Sequence, residues 1–300
     1  MDDTTRIFNT LRPRLQAIAY RMLGTVAEAE ELVQDVWLRW READPDELNN
    51  AEAWLVTVTT RLAIDRLRAA KVQREHYTGF WLPEPQLTPE DSPASPEQLL
   101  ERADDISMAF LALLERLAPE ARAAFLLREV FDADYAEVAQ ALGKSEAACR
   151  QIVSRAKSQL KEGRVRQHVS PDTHYKLLSG FADAARRGDF AALQALLAED
   201  AELISDGGGK VPSFGKVLSG SPRIARLFFA AWRRHRRDGE QMTLMLVPLN
   251  GRWGLLRFVG GQLESAQDFE TDGERVTRIH VQRNPDKLRR LALSLRLVSQ

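Results

Sequence analysis

Two hydrophobic periods run through this chain, and the change between them divides it. Phe8, Leu11, Leu15, Ile18 and Met22 fall at helical spacing, as do Leu32, Val36 and Trp40. Leu55, Val58 and Leu62 mark a third helix, which runs on to about Lys71. Pro45 and the Asn49-Asn50 pair break the chain before it. Helical spacing returns at Met108, Leu111 and Leu114, and Pro119 suits the first turn of the next helix. Tyr135–Leu142 and Glu146–Lys161 then flank Gly143-Lys144-Ser145. Gly143 can take the left-handed conformation that ends a helix, and Ser145 can cap the next one, so the pair reads as a helix-turn-helix. From Asp172 the pattern changes. Two helices, broken at Gly188, carry Tyr175, Leu178 and Phe181, then Phe190, Leu193 and Leu196. Alternating runs follow at Ala201–Ser205, Met242–Leu249, Trp253–Val259, Leu263–Phe269 and Val276–Val281, separated by Asn250-Gly251, Gly260-Gly261 and Asp272-Gly273. A helix with Ile224, Leu227, Phe228 and Ala231 on one face interrupts these runs. A last one uses Leu288, Leu291 and Leu295.

The pattern predicts a multidomain chain with two all-α domains, at residues 1–75 and 106–165, and an α+β domain at 166–300. Residues 76–105 form a linker in two halves. The second half is acidic and rich in Pro and Ser (Pro89, Ser92, Pro93, Ser95, Pro96). The first half is Tyr77-Thr78-Gly79-Phe80-Trp81-Leu82-Pro83-Glu84-Pro85, which places three aromatics and a Leu where linkers are normally polar. Such a patch expects a surface to cover it.

Composition narrows the class. The 300 residues are 44% apolar and 28% charged, ordinary for a soluble protein with more than one core. No apolar run approaches a membrane span, and Met1 to Phe8 does not read as a signal peptide. The single cysteine, Cys149, excludes an internal disulfide and fits a cytoplasmic location. Net charge is −1, but it is arranged in blocks. Residues 28–47 hold eight acids and two bases; residues 61–74 hold five bases and one acid; residues 150–166 hold six bases and one acid. Blocks of opposite sign predict separate surfaces for separate partners.

The helix-turn-helix supplies candidate chemistry. Its second helix should bury Ile152, Val153, Ala156 and Leu160 and present Glu146, Ala147, Arg150, Gln151, Ser154 and Arg155. Arg and Gln there can reach base edges in a major groove, and other bases can neutralise phosphates. The basic helix with Arg61, Arg66, Arg68, Lys71 and Arg74 has the same potential. Each alone is also compatible with a solvated face; together they favour a bipartite DNA reader.

Ala29-Glu30-Glu31-Leu32-Val33-Gln34-Asp35-Val36-Trp37, then Trp54-Leu55 leading to Leu62-Ala63-Ile64-Asp65-Arg66-Leu67-Arg68, resembles region 2 of an extracytoplasmic-function sigma factor. Leu117-Ala118-Pro119 through Leu160 resembles region 4. The resemblance covers residues 5–165 and implies core RNA polymerase and promoter DNA as partners. It implies that Glu31, Gln34, Asp35 and Leu38 meet the clamp of the β′ subunit, and that the β flap is also engaged. Asn49, Asn50, Trp54, Arg61, Arg66 and Arg68 would serve the minus-ten element, with the loop Asp44–Asn50 capturing a flipped base. Ser145, Glu146, Arg150, Gln151, Ser154 and Arg155 would serve the minus-thirty-five element. Thr60 departs from the Asn common in the family, and no base preference is attached to it.

The C-terminal order of helices then strands resembles the SnoaL-like cone fold, which a subgroup of these sigma factors carries behind region 4. Three motifs resemble that subgroup: Trp81-Leu82-Pro83-Glu84-Pro85, Asp206-Gly207-Gly208-Gly209-Lys210 and Asn284-Pro285-Asp286-Lys287-Leu288. Three glycines permit positive φ and close backbone approach. Asp206 and Lys210 could then pin the aromatic linker by charge, although a simple hairpin turn would also use glycine. The expected docking set is Trp81, Leu82, Pro83, Glu84, Asp206, Gly207, Gly208, Gly209, Lys210, Asn284, Asp286 and Lys287. The domain would pack on the linker and on one or both DNA-binding domains, setting their spacing as a built-in switch. Catalysis has weaker support: Asp206 and Asp268 are candidate bases and Tyr175 is the domain's only tyrosine, but no paired acid/base motif appears. No cofactor or metal is expected, and an unidentified small ligand in the C-terminal domain stays open.

Overall fold

Burial follows the helical stripes of the first domain. Phe8, Leu15, Ile18 and Met22 of α1 (Asp3–Leu23) meet Leu32, Val36 and Trp40 of α2 (Val26–Glu42) and Leu55, Ala63 and Leu67 of α3 (Ala51–Glu75). The structure, a computed structural model, describes residues 3–43, 50–75, 77–88, 107–161 and 169–298. Asn49, Pro45, the loop up to residue 49 expected to capture a base, and the acidic half of the linker lie outside the described residues, as do the side chains of Lys71 and Arg74.

After α4 (Met108–Leu114) come α5 (Pro119–Glu129), α6 (Tyr135–Leu142) and α7 (Glu146–Lys161). Asp134 and Glu137 cap α6 reciprocally, each side chain taking the other's backbone N–H. Gly143 ends α6 at φ 64°, and the Ser145 hydroxyl accepts the Ala148 N–H to start α7. These four residues set the helix-turn-helix by local chemistry alone. Cys149, Val153, Ala156 and Leu160 are buried, while Ile152 is half-buried.

The chain forms two compact units. One is Met1–His76 with Leu113–Arg164, so the two helical regions make a single body. The other is Tyr77–Ala112 with Val165–Gln300, so the aromatic half of the linker belongs with the C-terminal fold.

In the second unit, α8 (Pro171–Arg187) and α9 (Phe190–Ala195) precede a six-stranded sheet in the order β2-β1-β6-β5-β4-β3. The strands are β1 (Leu197–Asp206), β2 (Leu218–Ser219), β3 (Met242–Leu249), β4 (Arg252–Val259), β5 (Gln262–Thr271) and β6 (Val276–Gln282). β1 runs parallel to β6; all other pairs are antiparallel. The two-residue β2 was not expected, because a pair of residues carries no alternation to read. Register puts Leu255 opposite Gln267 and Leu256 opposite Ala266, so neighbouring positions face opposite sides. Leu203, Leu255, Phe269, Ile279 and Val281 pack with Phe181 of α8 and with Ile224 and Phe228 of α10 (Ser221–Arg237). The other face buries Leu249, Leu256 and Ala266 under Leu87 of the linker and Leu288 and Leu291 of α11 (Pro285–Val298). The sheet is therefore covered on both sides, once by helices and once by linker plus tail.

Phe181 centres the larger core, edge-on to Phe228 at 4.9 Å and to Phe269 at 5.2 Å. Phe181→Ala should destabilise this unit by about 3–5 kcal/mol. The check is hydrogen exchange of β5 and β6, which should lose protection while α1–α3 keep theirs.

Candidate nucleic-acid interface and linker docking site

Asp206 ends β1 with its side chain fully buried, and a buried carboxylate has to be satisfied by donors. Its oxygens accept from the Tyr77 hydroxyl (2.7 Å), the Leu82 N–H (2.9 Å), the Gly208 N–H (2.9 Å), the Gln282 amide (3.2 Å) and the Lys287 ammonium (2.8 Å). Two of these five donors come from the linker, one from the glycine loop and two from the Gln282–Leu288 stretch. Lys287 also donates to the Leu82 carbonyl and lies 4.0 Å from the centre of the Trp81 ring. The Gln282 amide additionally donates to the Leu82 and Pro83 carbonyls. Leu82, Pro83, Glu84 and Pro85 are buried.

The glycines are needed for space. Gly208 and Gly209 have φ of 62° and 70°. A Cβ on Gly208 would lie 2.3 Å from the Asn284 amide, one on Gly207 2.3 Å from the Val211 carbonyl, and one on Gly209 3.2 Å from Thr78. Asn284 in turn donates to the Tyr77 hydroxyl at 3.0 Å. Lys210 does not pin the linker: its ammonium pairs with Asp286 at 2.5 Å, tying the glycine loop to the start of α11. The linker goes on to β3, where Gln86 and Asn250 exchange hydrogen bonds and Leu87 bridges Leu249.

Burial, then the hydrogen bond to Asp206, pushes the Tyr77 hydroxyl well above the usual tyrosine range. The other acid considered for catalysis, Asp268, is buried with its Oδ2 3.7 Å from Nδ1 of His280. Burial alone would raise it; His280, Arg252 and His174 outweigh that and hold it below the usual carboxylate range. Tyr175 lies edge-on to Trp253 at 4.8 Å.

In the helical unit Glu31, Gln34 and Leu38 are exposed on α2, and Asp35 is half-buried; Leu38 is 55% exposed. On α7, Glu146, Arg150, Gln151, Ser154 and Arg155 are exposed on one side, with Arg150 paired to Glu146 and placed over the Tyr135 ring. The residues expected at the minus-ten element are differently placed. Asn50 caps α3 by accepting the Ala53 N–H. Trp54 packs on the buried Trp40 ring at 5.5 Å. Arg66 donates to Asp35 at 2.6 Å and to the Glu28 carbonyl, binding α3 to the acidic face of α2. Arg61 donates to the Gln140 and Ala141 carbonyls at 2.8 and 3.0 Å, filling the C-terminal acceptors of α6. Arg68 pairs with Glu120, which also meets Lys144. Lys144, then Arg68, hold the Glu120 carboxyl below its usual range. From the other side Arg122, buried in α5, donates to the Arg21 carbonyl at the end of α1. Thr60 is fully buried, out of reach of a base. Sequence reading did not find Arg122 or the partners of Arg61, because a basic spacing marks a face and not what meets it.

Two outcomes follow. Asp206→Ala leaves the Lys287 ammonium buried without its carboxylate and should cost about 3–5 kcal/mol, read as lost hydrogen-exchange protection at Leu82 and in α11. Tyr77 has its folded-state pKa raised above the unfolded value. Its contribution is therefore complete below the ordinary tyrosine pKa of about 10 and is lost as pH rises further. Ultraviolet titration should show one late-ionising tyrosine, absent in Tyr77→Phe.

Residues 7–72 match the family model for sigma-70 region 2, and residues 107–160 match that for sigma-70 region 4. The chain is 36% identical to the ECF RNA polymerase sigma factor SigJ of Mycobacterium tuberculosis, over 93% of this chain and 91% of that protein. It is 28% identical to the probable ECF RNA polymerase sigma factor SigI of that organism, over 96% and 95%. Its structure matches the crystal structure of M. tuberculosis SigJ with a TM-score of 0.74 at 32% identity, covering 95% of this chain and 98% of the other. The likeness thus runs through both helical regions and the SnoaL-like α+β fold behind them. The chain belongs to the extracytoplasmic-function RNA polymerase sigma factors, which are not enzymes but bring core polymerase to promoter DNA to start transcription.

Proposed function

We propose that this sigma factor rests in a closed state, with regions 2 and 4 held together by their own arginines, and that core polymerase and promoter DNA compete those contacts open. The observation that carries the reading is the seat of Arg61 on the end of α6. The minus-ten and minus-thirty-five elements are about 25 base pairs apart, roughly 85 Å of B-form duplex. Ser145 follows Gln140 by five residues, a span of at most about 18 Å. With Arg61 bonded to Gln140, α3 and the start of α7 cannot reach both elements at once.

In this reading Glu31, Gln34, Asp35 and Leu38 form the face for the β′ clamp. The exposed side of α7 is the face for the minus-thirty-five element, with region 4 also meeting the β flap. Arg61 and Arg68 turn to the minus-ten DNA only after release from region 4, and Arg66 on leaving Asp35 within region 2. Most of the closing pairs are partly exposed, and such pairs contribute only about 0–1 kcal/mol each, so a competing phosphate surface can displace them. The C-terminal unit serves regulation by fixing the linker between the two regions. A ligand in the cone would be a second source of bias between the states.

Dyes on Thr10→Cys and Ser158→Cys, with Cys149→Ser, should show high energy transfer in the free protein and low transfer once core polymerase and promoter are added. Unchanged transfer in a transcribing complex would sink the closed-state reading. Deleting residues 284–300, which carry Asn284 and Lys287, should change promoter-specific transcription severalfold while polymerase still binds; identical transcript yield would argue against regulation by the tail.

A further inference from the structure

α10 contains no acid in its 17 residues, and its arginines fall on one side. Arg223, Arg226, Arg233, Arg234 and Arg237 are all exposed and lie within about a third of the helix circumference, opposite the buried Ile224, Ala225 and Phe228. The stripe is about 21 Å long at 1.5 Å per residue. Arg234 and Arg237 share Asp238 beyond the helix end. Arg223, Arg226 and Arg233 have no ion-pair partner among the described residues. At the helix edge, Trp232 stacks on Phe229, carries Arg236 over its ring and packs against Gly188. The helix is thus anchored by packing at its edge while its cations face outward.

Folding does not require this arrangement. The packed side of α10 would be served equally by Glu and Lys alternating outside, and closely spaced like charges at i, i+3 and i+4 are mildly unfavourable. A row of guanidinium groups along one helix face instead matches a rod of phosphates, which presents one charge per about 1.7 Å of duplex axis. Arginine recognises phosphate oxygens with two parallel donors.

We propose that the outer face of α10 is a third DNA contact, a sequence-independent seat for the phosphate backbone of promoter duplex, supplied by the C-terminal unit in addition to regions 2 and 4. The contact positions DNA and reads no bases. It rests on membership of the sigma family and not on the closed state, so the two readings can fail separately.

The test uses holoenzyme reconstituted from core polymerase and the full chain, with the triple variant Arg223→Gln/Arg226→Gln/Arg233→Gln beside the parent. Promoter binding is measured by fluorescence anisotropy across a salt series. The variant should bind more weakly by about 100-fold or more at 0.1 M salt, and the slope of log K against log salt should fall by about 2–3, near 0.9 per lost phosphate contact. The ratio of promoter to non-promoter affinity should stay the same, and Arg→Lys at the three positions should restore most of the slope. Core polymerase retention and thermal melting serve as folding controls and should match the parent. An unchanged salt slope overturns the proposal. Binding of an acidic peptide with the sequence of residues 89–105, lost in the variant while DNA binding is kept, also overturns it and makes the stripe a seat for protein acids. A parent holoenzyme whose dyes never separate on DNA, yet whose slope falls in the variant, would instead count only against the closed state.

Discussion

A charge buried out of water must find its partners or it will not stay buried, and Asp206 finds them in three separate segments. Its five donors make the linker, the glycine loop and the start of α11 conditional on one another. Pulling the linker away removes the Tyr77 and Leu82 donors and exposes a half-satisfied carboxylate beside a cation. Partial undocking is therefore costly, and the contact is made or lost as a block. The apolar seam of Leu87, Leu249 and Leu288 adds non-directional attraction, but the carboxylate fixes where the chain must lie.

The helical unit uses polar contacts for a different end. Arg61 and Arg122 each cap a helix belonging to the other region, where unpaired carbonyls wait at a helix end. Arg61 is exposed and exchangeable; Arg122 is buried and keeps its place at greater cost of removal. A joint made mainly of exposed guanidinium–carbonyl and guanidinium–carboxylate bonds suits a protein whose partners are a polyanion and a large protein surface. Such partners offer the same kinds of acceptor in greater number.

Much of this was legible in the sequence wherever chemistry is local. Gly143 and Ser145 announce their turn, and Trp81 and Leu82 announce that something must cover them. The three glycines stand where a Cβ would crowd Asn284, Val211 and Thr78, and Lys210 pairs with Asp286 and not the linker. What could not be read was the destination of long side chains. Arg61, Arg66 and Arg68 look alike along α3, yet one caps α6, one clamps α2 and one meets Glu120. A guanidinium reaches about 7 Å in any direction, so its partner depends on the packing of elements distant in sequence. The Asp268–His280 pair escaped because its partners sit on different strands, β5 and β6, brought together only by the sheet.

The linker dock also has a consequence in time. Leu82 is bonded to a residue 124 positions later, and Tyr77 to one 207 positions later. Ribosomes add about 5–20 residues per second, so Asn284 is made roughly 10–40 s after Tyr77. Regions 2 and 4 are complete during most of that interval, with all the residues of their joint already present. Every newly made molecule therefore passes through a period in which its helical unit can fold before its linker is fastened. The order of synthesis alone gives this protein a brief youth with its linker undocked.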